Sequence, residues 1–137
     1  MKQEEKQLLL KDLCARLSYG VKASYYGAEE ECEIWDEVEG IVNDYVEIGQ
    51  YSLPIEAVKP YLFPLSSMTE EQKEEYNSEC KKDLKTLLEA VLNRTYTKTR
   101  IETPLYYGID WLNKNHFDYR GLIEKSLALD ATGLNIY

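Results

Sequence analysis

The spacing of apolar residues changes from a helical to a strand-like period at Tyr19-Gly20, and this change constrains the fold more than any other feature. Upstream, apolar residues recur every three or four positions, which predicts an amphipathic helix over residues 4–18. Downstream, apolar and polar residues alternate, which predicts a β-rich part over residues 20–63. A helix followed by a block of strands, without strand–helix–strand alternation, predicts an α+β fold.

Turn residues divide the β-rich part into short strands. Asn43-Asp44 predicts a hairpin turn, and Gly40 predicts a bulge or bend. Pro54 is suited to open a single helical turn, and Pro60 limits the strand after it to a sheet edge. Four strands, a helical turn and a last strand follow the element order of SH3-like or Sm-like barrels. We therefore predict a small antiparallel β-barrel or a strongly bent sheet.

The C-terminal part is predicted to be helical over residues 69–129. Apolar stripes and N-capping residues predict three helices there, at about residues 69–95, 103–115 and 119–129. Asp118 is expected to be the N-cap of the third helix. A loose tail is expected over residues 130–137. With 137 residues in total, we predict that the chain forms a single domain.

Charge is distributed unevenly along the chain, whose net charge is −9. From Ala23 to Val58 there is no lysine or arginine, and ten acidic residues fall in this stretch. Such a surface repels phosphate and attracts basic partners, although a solvated sheet surface is the plainer interpretation. The leading hypothesis is a non-enzymatic module that binds a basic protein through an acidic sheet face. Its predicted partner-binding residues are Glu29, Glu30, Glu31, Glu33, Asp36 and Glu37.

A basic segment supports a second hypothesis. Lys81 to Arg100 carries six basic and two acidic residues, so its net charge is +4. A small anionic ligand of nucleotide type would use this helix together with nearby aromatic and basic side chains. The predicted ligand-binding residues are Lys81, Lys85, Arg94, Tyr107, His116 and Arg120. Nucleic-acid binding through the same helix is a third, less favoured hypothesis because the acidic stretch repels a phosphate chain.

The sequence offers little for catalysis. His116 is the only histidine, the three cysteines follow no metal-binding spacing, and no glycine-rich phosphate loop or nucleophile elbow is present. We therefore expect no catalytic residues, no cofactor and no metal site. The polar N-terminal residues and the lack of an 18-residue apolar run predict a cytoplasmic protein without a membrane partner.

Three blocks of sequence carry a resemblance to a known family. They are KDLCARLSYGVKA (residues 11–23), PIEAVKPYLFPLSSMTEEQKEE (54–75) and IDWLNKNHFDYRGLIEKSLAL (109–129). The blocks cover nearly half of the chain. Together they resemble small uncharacterised proteins of Bacteroides-type gut bacteria and their prophages. The resemblance implies no activity, and it suggests an accessory role such as host takeover, immunity or counter-defence.

Overall fold

The computed structural model describes residues 1–92 and 106–137, with side chains up to residue 85 and from residue 107. It has an α+β fold, as predicted. The described residues form two compact units, and the single domain stays a prediction. The first unit contains Met1–Ser67 and His116–Tyr137, and the second contains Met68–Asn115.

The first unit begins with helix α1, Gln3–Arg16, which confirms the predicted N-terminal helix. One 3₁₀ turn, Leu17–Tyr19, follows α1 and ends at Gly20, whose φ is +69°. Glycine adopts this left-handed conformation without the penalty that a Cβ atom imposes, so the chain reverses there into the sheet. Leu9 and Leu13 of α1 are fully buried.

Seven strands form one mixed sheet in the first unit. They are β1 (Lys22–Gly27), β2 (Cys32–Val42), β3 (Tyr45–Ile48), β4 (Tyr51–Pro54), β5 (Lys59–Pro64), β6 (Phe117–Asp118) and β7 (Leu129–Asp130). The strand order is β4-β3-β2-β1-β5-β6, and β7 also pairs with β5. A 3₁₀ turn, Ile55–Ala57, joins β4 to β5, and a register shift between Val38 and Gly40 confirms the predicted irregularity.

The sequence left open a small antiparallel barrel or a strongly bent sheet, and the closed barrel is the alternative that the structure contradicts. The sheet does not close, because among the described residues β5 pairs with β1, β6 and β7, whereas β4 pairs with β3 alone. Both added pairings are parallel, which makes the sheet mixed. The alternation in the sequence predicted strands β1 to β5, whereas these two-residue strands have no periodic signal.

The predicted third C-terminal helix is also wrong, because residues 119–128 form turns and bends. Gly121 and Ser126 have φ values of +73° and +59°, which a right-handed helix does not contain. Asp118 does cap backbone groups: its carboxylate accepts hydrogen bonds from the N–H groups of Leu122 (3.0 Å) and Ile123 (2.9 Å). It therefore stabilises a tight turn instead of a helix.

The C-terminal segment, predicted to be loose, packs against the sheet of its own unit. Ala131 and Ile136 are buried. The Tyr137 hydroxyl accepts a hydrogen bond from the Lys22 N–H (2.9 Å) and donates one to the Tyr61 carbonyl (2.8 Å). This hydroxyl therefore links β1 to β5 just beyond the point where their direct pairing ends.

The second unit contains helix α2, Glu70–Leu92, and helix α3, Tyr106–Lys114. A capping box precedes α2, since the Thr69 hydroxyl accepts from the Gln72 N–H (3.2 Å) and the Gln72 side chain accepts from the Thr69 N–H (2.9 Å). Asp83 of α2 accepts hydrogen bonds from the first amides of α3. The predicted helix start at residues 103–104 lies outside the described residues. No described helix is long and apolar enough to cross a membrane.

Candidate functional site

One exposed surface of the first unit is the outer face of the β1–β2 hairpin. In the register of the two strands, Lys22 lies opposite Glu37, Ser24 opposite Trp35, and Tyr26 opposite Glu33. The alternate β1 residues, including Ala23 and Tyr25, are buried, so these six side chains point away from the core. We call this set the hairpin outer face: Lys22, Ser24, Tyr26, Glu33, Trp35 and Glu37.

Two large aromatic side chains of the hairpin outer face are exposed to solvent. Trp35 is 46% exposed and Tyr26 is 55% exposed. The Lys22 ammonium lies 5.2 Å from the centre of the Trp35 ring, a cation–π distance, and it donates a hydrogen bond to the Ile136 carbonyl (2.8 Å). Exposed aromatic rings bordered by charged groups are typical of binding surfaces.

A shallow groove of about 550 Å³ adjoins this surface at the junction of β1 and β5. Two carboxylates and one ammonium line it, together with small and aromatic side chains. Glu33 forms one wall and accepts a hydrogen bond from Ser24 (3.2 Å), and Glu56 forms an ion pair with Lys6. This charge balance disfavours a phosphate group. The lining residues are Ser24, Glu33, Glu56, Ala57, Lys59, Tyr61 and Leu129.

The six predicted acidic partner-binding residues do not share one face. Glu33 and Glu37 belong to the hairpin outer face, whereas Asp36 lies opposite buried Ala23 and so points to the other side of the sheet. The Asp36 carboxylate accepts a hydrogen bond from the Glu37 N–H (2.7 Å). A side-chain period of two residues places neighbouring strand residues on opposite faces, so Asp36 and Glu37 cannot act on one partner surface together.

The remaining three acidic residues lie in the turn between β1 and β2. Glu29 accepts a hydrogen bond from the Gln50 amide (2.9 Å), and Glu30 accepts one from the Tyr51 hydroxyl (3.0 Å). Glu31 is exposed and has a φ of +56°. Glu29 and Glu30 therefore hold the turn against the start of β4, and only Glu33 and Glu37 lie beside Trp35.

The predicted small-ligand residues belong to both units. Lys81 and Lys85 are exposed on α2 of the second unit, and the exposed Tyr107 lies in the first turn of α3 of that unit. His116 and Arg120 belong to the first unit, whereas Arg94 lies outside the described residues.

A buried ionic cluster in the first unit was missed by the sequence analysis. Asp12 and Arg16 are fully buried, and their side chains form an ion pair at 2.9 Å. Arg120 joins them through Asp12 at 3.2 Å, and Arg16 also donates to the Phe117 carbonyl (2.6 Å). The sequence did contain a signal: Asp12 and Arg16 share the helical stripe of Leu9 and Leu13, which is the face that α1 buries.

His116 is buried beside this cluster, and its ring stacks on Tyr137 with centroids 3.7 Å apart. Burial, with the charges of Arg16 and Lys22, lowers the pKa of His116 to about 4. Burial raises the pKa of Tyr137 to about 12. Within the described part of the chain, the His116 Nδ1 atom has no hydrogen-bond partner. Both side chains are therefore uncharged near neutral pH, and they contribute packing where the sequence suggested anion binding.

Comparison with known proteins assigns no family. No protein-family model, curated protein or solved structure matches the chain. Among the described residues, no group of three histidine, cysteine or acidic side chains is arranged to hold a metal ion. The hairpin outer face, with the groove beside it, is the candidate functional site.

Proposed function

We propose that this protein is a non-enzymatic binding module that docks a basic surface of a partner protein on the hairpin outer face. One observation carries the proposal: Trp35 is exposed on a strand between two carboxylates, Glu33 and Glu37, that point to the same side. The proposal keeps the acidic partner surface that the sequence suggested and narrows it to these side chains.

The chemistry of this face suits a lysine- or arginine-bearing partner. Tryptophan is enriched among the residues that dominate binding energies, because its large ring loses much water contact on docking. Its face also attracts cations, as the position of Lys22 over the ring already shows. Carboxylates on either side of such a ring speed the approach of basic partners and disfavour acidic ones.

The rigidity of the strands supports the same proposal. Six consecutive residues of β2 pair with β1, so Trp35 and both carboxylates are held on a hydrogen-bonded ladder. A preordered surface loses less conformational entropy on binding than a loop does. Nucleotide binding has weaker support, because His116, one of its predicted residues, is buried and uncharged near neutral pH.

Two finer statements belong to the proposal. The order of β1 to β5, with a 3₁₀ turn before β5, supports grouping the sheet with SH3-like or Sm-like folds, although the sheet is open. The resemblance to proteins of gut bacteria and their prophages supports an accessory role in which binding to another protein is the activity.

Binding at low and high salt tests the proposal. The tagged protein is incubated with host lysate, and retained proteins are identified by mass spectrometry. We expect a basic protein that is retained at low salt and released at high salt, because salt screens exposed charges. The double variant E33K/E37K and the single variant W35A should lose this protein.

The matched control is E74K/E75K, which reverses two exposed charges on α2 and changes the net charge equally. It should retain the partner, and thermal melts should show that every variant is folded. A partner whose retention is insensitive to salt, or equal for E33K/E37K and the control, would contradict the proposed function.

A further inference from the structure

The first half of β2 has a paired strand on one side only. Residues Cys32 to Glu37 pair with β1, and pairing with β3 begins at Val38, after which the strand bends. In the part of the chain that the structure describes, no strand pairs with the other side of residues 32–37. Most side chains there are exposed on both faces of the strand, in agreement with an open edge.

The hydrogen-bond pattern shows which backbone groups this edge presents. The Val38 N–H donates to the Val21 carbonyl (2.9 Å), so in the antiparallel ladder every second residue of β2 bonds to β1. Glu33 and Trp35 alternate with the residues that bond to β1, so their own N–H and C=O groups point away from β1. The Glu37 N–H also points outward, but the Asp36 carboxylate occupies it. Glu33 and Trp35 therefore present two donors and two acceptors at this edge.

Charge indicates what kind of strand fits this edge. The side chains of Glu33, Trp35 and Glu37 share one face, so a strand added here would place every second side chain beside them. No lysine or arginine occurs between Ala23 and Val58. Acidic segments are therefore repelled, and basic side chains at alternate positions meet Glu33 and Glu37.

We propose that an extended segment of a partner protein, with lysine or arginine at alternate positions, adds as a strand beside Glu33–Glu37. This inference rests on the proposed function and specifies how the partner binds. Backbone hydrogen bonds to Glu33 and Trp35 hold the segment, and the alternating basic side chains select it. An open sheet edge can pair with many kinds of extended segment. The negative charge at this edge of β2 selects basic segments over acidic ones.

The probe is a short synthetic peptide in which lysine or arginine alternates with threonine. Two N-methylated series have the same number of methyl groups, one on the basic residues and one on the threonines. Neighbouring amides of a strand point to opposite edges, so each series blocks one edge of the peptide. Strand addition predicts that only one series loses affinity, by about tenfold or more, because it loses edge hydrogen bonds.

Hydrogen exchange provides a second readout on the protein itself. The amides of Glu33 and Trp35 should exchange fast in the free protein and become protected when the unmethylated peptide binds. The amides of Ile34 and Asp36 are the matched control, because the ladder to β1 already protects them. Equal losses in both methylated series, or no new protection, would overturn strand addition while leaving salt-dependent docking intact.

A peptide that does not bind at all also overturns the inference. The lysate experiment then decides on the proposed function by itself: if E33K/E37K loses the basic partner, the proposed function holds and only strand addition fails. If E33K/E37K retains the partner, both fail. A second copy is the other occupant to test, because residues 95–100 alternate threonine with tyrosine, lysine and arginine in sequence. If sedimentation velocity shows a dimer of the wild type and a monomer of E33K/E37K, the occupant of this edge is a second copy of the chain and not a separate partner.

Discussion

Acidification is expected to destabilise the first unit through His116, which is only 7% exposed. Burial, with the charges of Arg16 and Lys22, lowers its pKa from 6.5 to about 4 in the folded state. As the pH falls, the unfolded state therefore binds the proton first. The lowered pKa of His116 therefore contributes about 3 kcal/mol to the free energy of unfolding above about pH 6.5. This contribution is lost progressively as the pH falls from about 6.5 to about 4.

The variant H116N isolates this effect, because asparagine tolerates the positive φ of +62° at this position and does not titrate. Urea unfolding, followed by amide signals of β1, would be measured for both proteins at two pH values. When the pH is lowered from about 7.5 to about 4.5, the free energy of unfolding of the wild type should decrease by about 2.5 kcal/mol more than that of H116N.

The same pKa can be read directly, because His116 is the only histidine and its NMR signals need no assignment. We expect a titration midpoint near 4. A midpoint near the ordinary value of about 6.5, or identical pH dependence in the two proteins, would refute the reasoning from burial and neighbouring charge.

Three further substitutions test other parts of the structure. D12N should lower the free energy of unfolding in urea by about 3–5 kcal/mol, because it leaves the charge of Arg16 buried without its carboxylate partner. A decrease of less than about 1 kcal/mol would contradict this. Y137F should cost about 1 kcal/mol and speed hydrogen exchange at the Lys22 amide, since the hydroxyl that accepts from this amide is gone. Unchanged exchange there would indicate that the C-terminal segment is not docked. D83A should lower the free energy of unfolding by about 2 kcal/mol, because two amides at the start of α3 lose their acceptor. Unaltered hydrogen exchange of those two amides would argue against this prediction.

The elements that the sequence predicted well are those with a local signal. The stripe on α1 and the alternation over β1 to β5 each come from residues that are close in the chain. Strands β6 and β7 depend on pairing with β5 across more than fifty residues, and two-residue strands leave no pattern. In residues 119–129, Ile123 and Leu127 have the four-residue spacing of a helical stripe, but the positive φ angles at Gly121 and Ser126 break the helix.

The candidate site could be predicted in part. The acidic character around β2 follows from composition, and strand alternation alone separates Asp36 from Glu37. The exposure of Trp35 and the open edge depend on which strands pair, and only the fold determines this. The roles of Glu29 and Glu30 also required the structure, because their partners, Gln50 and Tyr51, lie about twenty residues away, at and just before the start of β4.

The most direct test of the docking surface is an NMR titration of the ¹⁵N-labelled protein with the alternating basic peptide at low salt. We expect amide shift changes concentrated at Glu33–Glu37, a change at the Trp35 indole, and their disappearance at high salt. Shift changes concentrated on α2 around Lys81–Lys85, or none near Trp35 while the peptide binds, would contradict the account.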